Sequence, residues 1–169
     1  MLAALPQGAG DFATYVTLGA MRGMVQRDFV LPAIRLTAGE IVAGAGGKDG
    51  TEQAHAIRDW LTTHVEFLRD PDRGEMLHGP AWQVRRVRAN GSVSVDCDDV
   101  AMLAAALGRS IGLRARFTVV GFRYPGAPYR HIWTDLVSPQ PGSAWVDCDI
   151  TREQQSLPSK ITRVLHVRV

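Results

Sequence analysis

Residues Asp96–Gly112, DCDDVAMLAAALGRSIG, constrain this chain more than any other stretch. Val100, Leu103, Ala104, Leu107 and Ile111 fall at i, i+3, i+4, i+7 and i+11, the spacing of a helix with one buried stripe. Ala101, Ala104, Ala105 and Ala106 are small enough to let it lie close to neighbouring backbone. Asp96 is placed to cap the start, Asp98 and Asp99 favour the positive end, and Gly112 suits the stop. Cys97 therefore falls in the first turn of a buried helix, between carboxylates.

Two readings of that cysteine compete. Peptide dipoles and unpaired N–H groups at a helix N-terminus stabilise a thiolate, which makes the position suitable for a nucleophile. Taken alone, a cysteine there reads equally as a small buried hydrophobe. The aspartates oppose a thiolate if they point inward, so an active thiol needs an imidazole that outweighs them.

The rest of the chain bounds the options. Its 169 residues, 46% hydrophobic and 21% charged, suit one globular domain with a real core. The net charge is +2, and the tightest basic cluster is Arg85, Arg86 and Arg88, which reads as a solvated face. Nucleic-acid binding through a dense basic patch is not expected. No apolar run approaches the ~20 residues of a membrane span. The opening MLAALPQGAGDF lacks the basic start of a secretory signal, so a cytoplasmic location is expected. Two cysteines make no disulfide framework, and a reducing compartment is the default.

Residues 1–50 are Gly- and Ala-rich and weakly periodic, and are expected to form an N-terminal lead-in before a domain over 51–169. Within them VLPAIRLTAGEIVAGAGGKDGT reads as a strand or extended piece, with a short helical turn at most, then a Gly-rich loop. Thr51–Val65 reads as a helix on Ala54, Ile57, Leu61 and Val65. Asp70-Pro71 and Arg73-Gly74 break the chain after it, and residues 77–91 read as loop with a short helical turn, carrying Pro80, Trp82 and the Asn90-Gly91 turn. After the buried helix come three strands, Arg114–Tyr124, His131–Val137 and Ala144–Ile150, separated by PGAP and SPQPGS. Short connections imply an antiparallel sheet, to which SKITRVLHVRV offers one more strand. The fold class is α+β.

His131 is the histidine best set to meet Cys97. It begins a strand, and a strand-edge imidazole can project over the end of a helix packed on that sheet. His55, His64, His78 and His166 lack this setting. An acceptor that fixes the imidazole tautomer is available in WVDCDIT. Strand alternation sends Asp147 and Asp149 to one face and Cys148 to the other. That separation argues against a Cys97–Cys148 bridge and against Cys148 as a second nucleophile. Cys97, Asp98, Asp99, His131 and Cys148 are all metal-ligand types, but no CxxC or HxxxH spacing occurs. Neither a metal nor a cofactor is expected.

Three segments in order, VDCDDVAMLAAALGRSIGLRARFTVVG, RHIWTDL and AWVDCDIT, resemble the transglutaminase-like (papain-like) thiol superfamily. That pattern is a G-D-C-x-D helix ending L-G-I-x-A-R, then H-x-W on a strand, then W-x-x-x-D-x-T. The resemblance covers roughly residues 51–152, and AIRDWLTTHVEFLRDP resembles the helix and strand before the nucleophile. The layout, with GEMLHGP before the cysteine loop, is similar to stand-alone members in bacteriophage and prophage genomes. Two departures are Val95, where many relatives have glycine, and Asp147, where an uncharged residue is usual.

The resemblance implies an α+β fold with a nucleophile helix packed on an antiparallel sheet. It implies Cys97 as nucleophile, His131 as general base and Asp149 as orienting carboxylate. Attack on an amide or ester carbonyl would give a thioester, with His131 carrying the proton. The Cys97 N–H is one expected oxyanion donor. Trp82 and Gln83, from the preceding loop, are candidates for another, or for substrate binding beside Asp147, though Trp82 reads more readily as packing. The implied partner is a protein or peptide substrate, phage virion or tail components among them, and a virion-associated location joins the cytoplasmic one. Water as acceptor gives hydrolysis, the expected outcome, and a lysine amine gives crosslinking. The alternative is a non-enzymatic assembly protein that keeps the fold.

Overall fold

The helix expected at the centre of the chain is present at Cys97–Ser110, and every residue from Asp98 to Gly108 within it is buried. The computed structural model describes residues 2–5, 11–45, 49–69, 75–151 and 157–169. Along the chain run β1 (Leu2–Leu5), α1 (Asp11–Asp28), α2 (Pro32–Ala45), α3 (Gly50–His64), β2 (Val65–Phe67), β3 (Glu75–His78) and α4 (Pro80–Asn90). Then follow β4 (Val93–Val95), α5 (Cys97–Ser110), β5 (Arg114–Phe122), β6 (Tyr129–Val137), β7 (Val146–Asp147) and β8 (Ile161–Arg168).

A four-stranded sheet in the order β7-β6-β5-β8, antiparallel throughout, covers one side of α5. Phe117 and Val119 of β5, Ile132 and Leu136 of β6, and Val146 join α5 in the core. Helices α1 to α4 pack against α5 from its remaining sides, through residues such as Met21, Ile34, Ile57 and Val84. The expected α+β class holds, as does the antiparallel sheet with the cysteine-bearing helix against it. The stripe reading was too narrow, because α5 is apolar or small around its whole circumference and is enclosed accordingly.

Two contacts set the helix on the sheet. The Thr134 hydroxyl of β6 donates to the Ala101 carbonyl at 2.6 Å. Seven residues after Thr134's helix partner, Gly108 lies against Leu136, so close that a Cβ there would overlap the leucine methyls. Small residues on α5 thus permit the close approach that the alanine run implied.

The N-terminal region departs from expectation. Where a strand or extended piece was expected, residues 32–45 form α2, with Ile34 and Ala38 buried one turn apart. Before it, α1 buries Leu18, Met21, Val25 and Asp28. Of the segment expected as a lead-in, residues 11–45 therefore pack into the common core, while residues 46–48 of its Gly-rich loop lie outside the described residues. The expected loop over 77–91 is largely helix α4. Its N-cap is Gly79, which has no side chain, and Pro80 follows at the first position. The missing cap comes from α1, where Asp28 Oδ2 accepts from the Ala81 N–H at 3.0 Å. Burial pushes the Asp28 carboxyl up, but Arg27 and that N–H outweigh it and hold it below the usual range. Asn90-Gly91 is the C-terminal stop of α4, with Gly91 at φ 85°. The breaker pairs Asp70-Pro71 and Arg73-Gly74 lie outside the described residues.

Gly108→Ala tests the close approach. Alanine adds about 1 kcal/mol of helix propensity, whereas forcing a methyl into a packed core costs about 1–3 kcal/mol. Urea unfolding is expected to show a net loss. A gain in stability would mean that Leu136 moves aside without cost.

Candidate active site

Cys97 opens α5, half-buried and packed against the core, directly after the N-cap Asp96. The Asp96 carboxylate accepts from the Asp99 N–H at 3.4 Å, the cap the sequence implied. Helix α5 and strand β6 run in the same sense, as the Ala101–Thr134 and Gly108–Leu136 contacts show. Going back one helical turn, about 6 Å, matches going back two to three strand residues. Cys97 and His131 therefore lie at the same end of this packed pair.

His131 is buried, with its side chain fully covered. The β5–β6 register skips a residue beside it, since Val120 pairs with His131 and Gly121 with Tyr129. Such an irregularity re-aims a side chain at a strand end. Its Nε2–H donates to Asp149 Oδ2 at 2.9 Å. Asp149 is positioned in turn by its own backbone neighbours. Its Oδ1 accepts from the Thr151 N–H, and its N–H donates to Asp147 Oδ1, both at 3.3 Å. Asp147 itself points to solvent, 3.9 Å from Arg58. Trp133 lies beside the imidazole, 5.7 Å between ring centres.

Cys148 lies across the strand from these aspartates, in the core. Neither cysteine is in a disulfide. Burial pushes the Cys148 thiol far up, and the Asp147 and Asp135 charges add to this. That disfavours the thiolate a nucleophile needs.

His78 is the group that sequence reasoning passed over. At the end of β3 its backbone N–H donates to Asp99 Oδ1 at 2.6 Å and its Nδ1–H to Asp99 Oδ2 at 2.7 Å. Trp82 stacks on its ring at 4.4 Å. Gln83, a candidate oxyanion donor on the sequence, is fully buried, and its Nε2 donates to the His78 and Asp99 carbonyls, both at 2.8 Å. Both amide hydrogens are thus engaged, and the residue braces the first turn of α5 against the β3–α4 corner. No local pattern signals the His78–Asp99 pair, because the two residues are joined only by the tertiary fold.

These contacts also answer how a thiol is tolerated among three aspartates. Asp98 is buried, which pushes its carboxyl well above the usual range, and the Asp96, Cys97 and Asp99 charges push it further. It is carried as the neutral acid. Asp99 faces His78, and Asp96 is turned onto the helix N–H groups. Among the described residues, the grouping of three metal-ligand types is Asp96, Asp98 and Asp99, with one oxygen from each within 4.8 Å. It includes neither Cys97 nor His131. A neutral Asp98 and an Asp99 already holding His78 suit this trio poorly to a cation.

Because the folded state holds a proton on Asp98 that the unfolded chain releases near its ordinary pKa of 3.8, stability falls as pH rises above that value. Asp98→Asn removes this dependence. Its stability advantage over the parent, measured by urea unfolding, is expected to grow from about pH 4 upward. An advantage that shrinks with pH would mean that Asp98 is ionised in the fold.

No helix among the described residues is long and apolar enough to cross a membrane. No curated protein and no solved structure matches the chain at a significant level. A family description does, that of the transglutaminase-like superfamily, over residues 37–150. The match begins in α2 and ends beside Asp149, so it spans the cysteine-bearing helix, the sheet and the His131–Asp149 pair. Members of this superfamily are generally enzymes of cysteine-dependent acyl transfer. By this match over more than half its length, the chain belongs to the transglutaminase-like superfamily.

Proposed function

We propose that the protein cleaves amide bonds in a protein or peptide substrate through Cys97, His131 and Asp149. The reading rests chiefly on one observation, the buried His131 Nε2–H donating to Asp149 at the end of β6 level with the start of α5. Asp149 fixes the tautomer and orientation of the ring and stabilises the imidazolium. With Nε2 so engaged, Nδ1 is the nitrogen that exchanges a proton with Cys97. The thiolate attacks the carbonyl, the Cys97 N–H at the helix start receives the developing oxyanion, and His131 returns the proton to the leaving amine. Water then hydrolyses the thioester. A neutral Asp98 supports this reading, since it removes a repulsive charge beside the sulfur.

Incubation with a panel of electrophilic amides and esters tests it, with mass spectrometry reading the adduct. An acyl group on Cys97, absent in a folded Cys97→Ala variant, is the expected result. Release of free acid identifies hydrolysis, whereas transfer to an added lysine-type amine identifies crosslinking. Absence of any adduct would leave an assembly protein with a silent site.

Alkylation near pH 7 is expected to favour Cys97 over Cys148 by at least about tenfold, because the latter is buried and its thiolate is disfavoured. His131→Ala slows labelling of Cys97, and unchanged labelling would show that the pair does not form. Asp149→Asn is expected to keep the fold while lowering turnover by up to about 10⁴-fold. Full activity in that variant would move the orienting role elsewhere.

A further inference from the structure

At the far end of α5 from Cys97, where the helix passes into β5, lies a cavity of about 470 Å³. Arg109 lies twelve residues after Cys97 on the helix, roughly 18 Å along the axis. Three arginines line the cavity, Arg109, Arg114 and Arg168, together with Phe29, Leu113 and Trp145. Val169 closes the same wall, and among the described residues no Asp or Glu side chain lines it.

Arg27, Arg58, Arg88, Arg116 and Arg163 each sit in an ion pair. Among the described residues, none of the three cavity arginines does. The Nη1 of Arg109 is buried and has no acceptor there. Its guanidinium lies over the Phe29 ring at 4.2 Å, and burial and the nearby Arg22 charge both disfavour its cationic form. The end of α5 offers little relief, because the Gly108 and Arg109 carbonyls already accept from the Leu113 and Gly112 N–H groups. The wall opposite is built for contact with a flat apolar group. Arg116, anchored on Asp135 at 2.8 Å, stacks on Trp145 at 4.2 Å and holds its partly exposed indole in place.

We propose that this cavity binds a small organic anion, a phosphate or carboxylate carried on an apolar or aromatic body. Arg109, Arg114 and Arg168 supply charge and N–H donors, and Phe29 and Trp145 take the apolar part. The volume matches a small molecule. The site is separate from the proposed chemistry at Cys97 and does not depend on it.

The probe is 1-naphthyl phosphate, titrated calorimetrically into the full chain, with 1-naphthol as the uncharged comparison. The phosphate is expected to bind at least about tenfold more tightly than naphthol, and more weakly as salt is raised. Arg109→Gln, and separately Arg114→Gln with Arg168→Gln, are each expected to weaken it at least about fivefold. Arg114 and Arg168 are exposed, so that double variant keeps the test open if the Arg109 variant fails to fold. Cys97→Ala is expected to bind the probe as the parent does. Equal binding of naphthol, undiminished binding by the double variant, or loss of binding in Cys97→Ala would each overturn the proposal.

Discussion

Full enclosure of α5 is the constraint on which the rest of this structure depends. A helix buried on one face can slide or tilt at modest cost. One buried around its circumference is fixed by every neighbour at once, and close packing allows it one position. Gly108 against Leu136 and Ala101 against Thr134 set its height on the sheet. Helices α1 to α4 then close over it, and they can do so because its small residues let four helices and two strands approach one axis.

Rigid placement matters most at the first turn. Three aspartates beside a cysteine would ordinarily oppose a thiolate, and the fold disposes of each carboxylate differently. Asp96 caps the helix, Asp98 is buried as the neutral acid, and Asp99 is held by His78. Gln83 ties the same corner together through two carbonyls. The positive end of the helix is thereby left facing the sulfur without three competing charges. The β3–α4 corner that accomplishes this is itself anchored by Asp28 from α1, so the N-terminal helices reach the cysteine through one chain of contacts.

The two ends of α5 carry opposite chemistry. Its N-terminus gathers carboxylates around a thiol, and its C-terminus gathers arginines around a cavity. Both follow the helix dipole, which favours acidic groups at the start and basic groups at the end. At the start Asp96 and Asp99 find partners within the fold, while Asp98 keeps one buried oxygen unpaired. At the other end one nitrogen of the half-buried Arg109 is left without an acceptor.

What the sequence settled by itself was local. Helical spacing from Val100 to Ile111 marked α5, the 54–61 spacing marked α3, and alternation marked β5 and β6, since each pattern lies within one element. The Asp96 cap, the separation of Cys148 from Asp149, and the Cys, His, Asp order were legible for the same reason. Only the tertiary structure decided that residues 80–90 are helical, because the cap they need is Asp28, more than fifty positions away in the chain. It alone joined His78 to Asp99, engaged Gln83 with backbone carbonyls, and kept Asp98 neutral. Those outcomes depend on burial and on contacts between distant segments, and a buried charge or donor takes its state from whichever groups the completed fold brings to it.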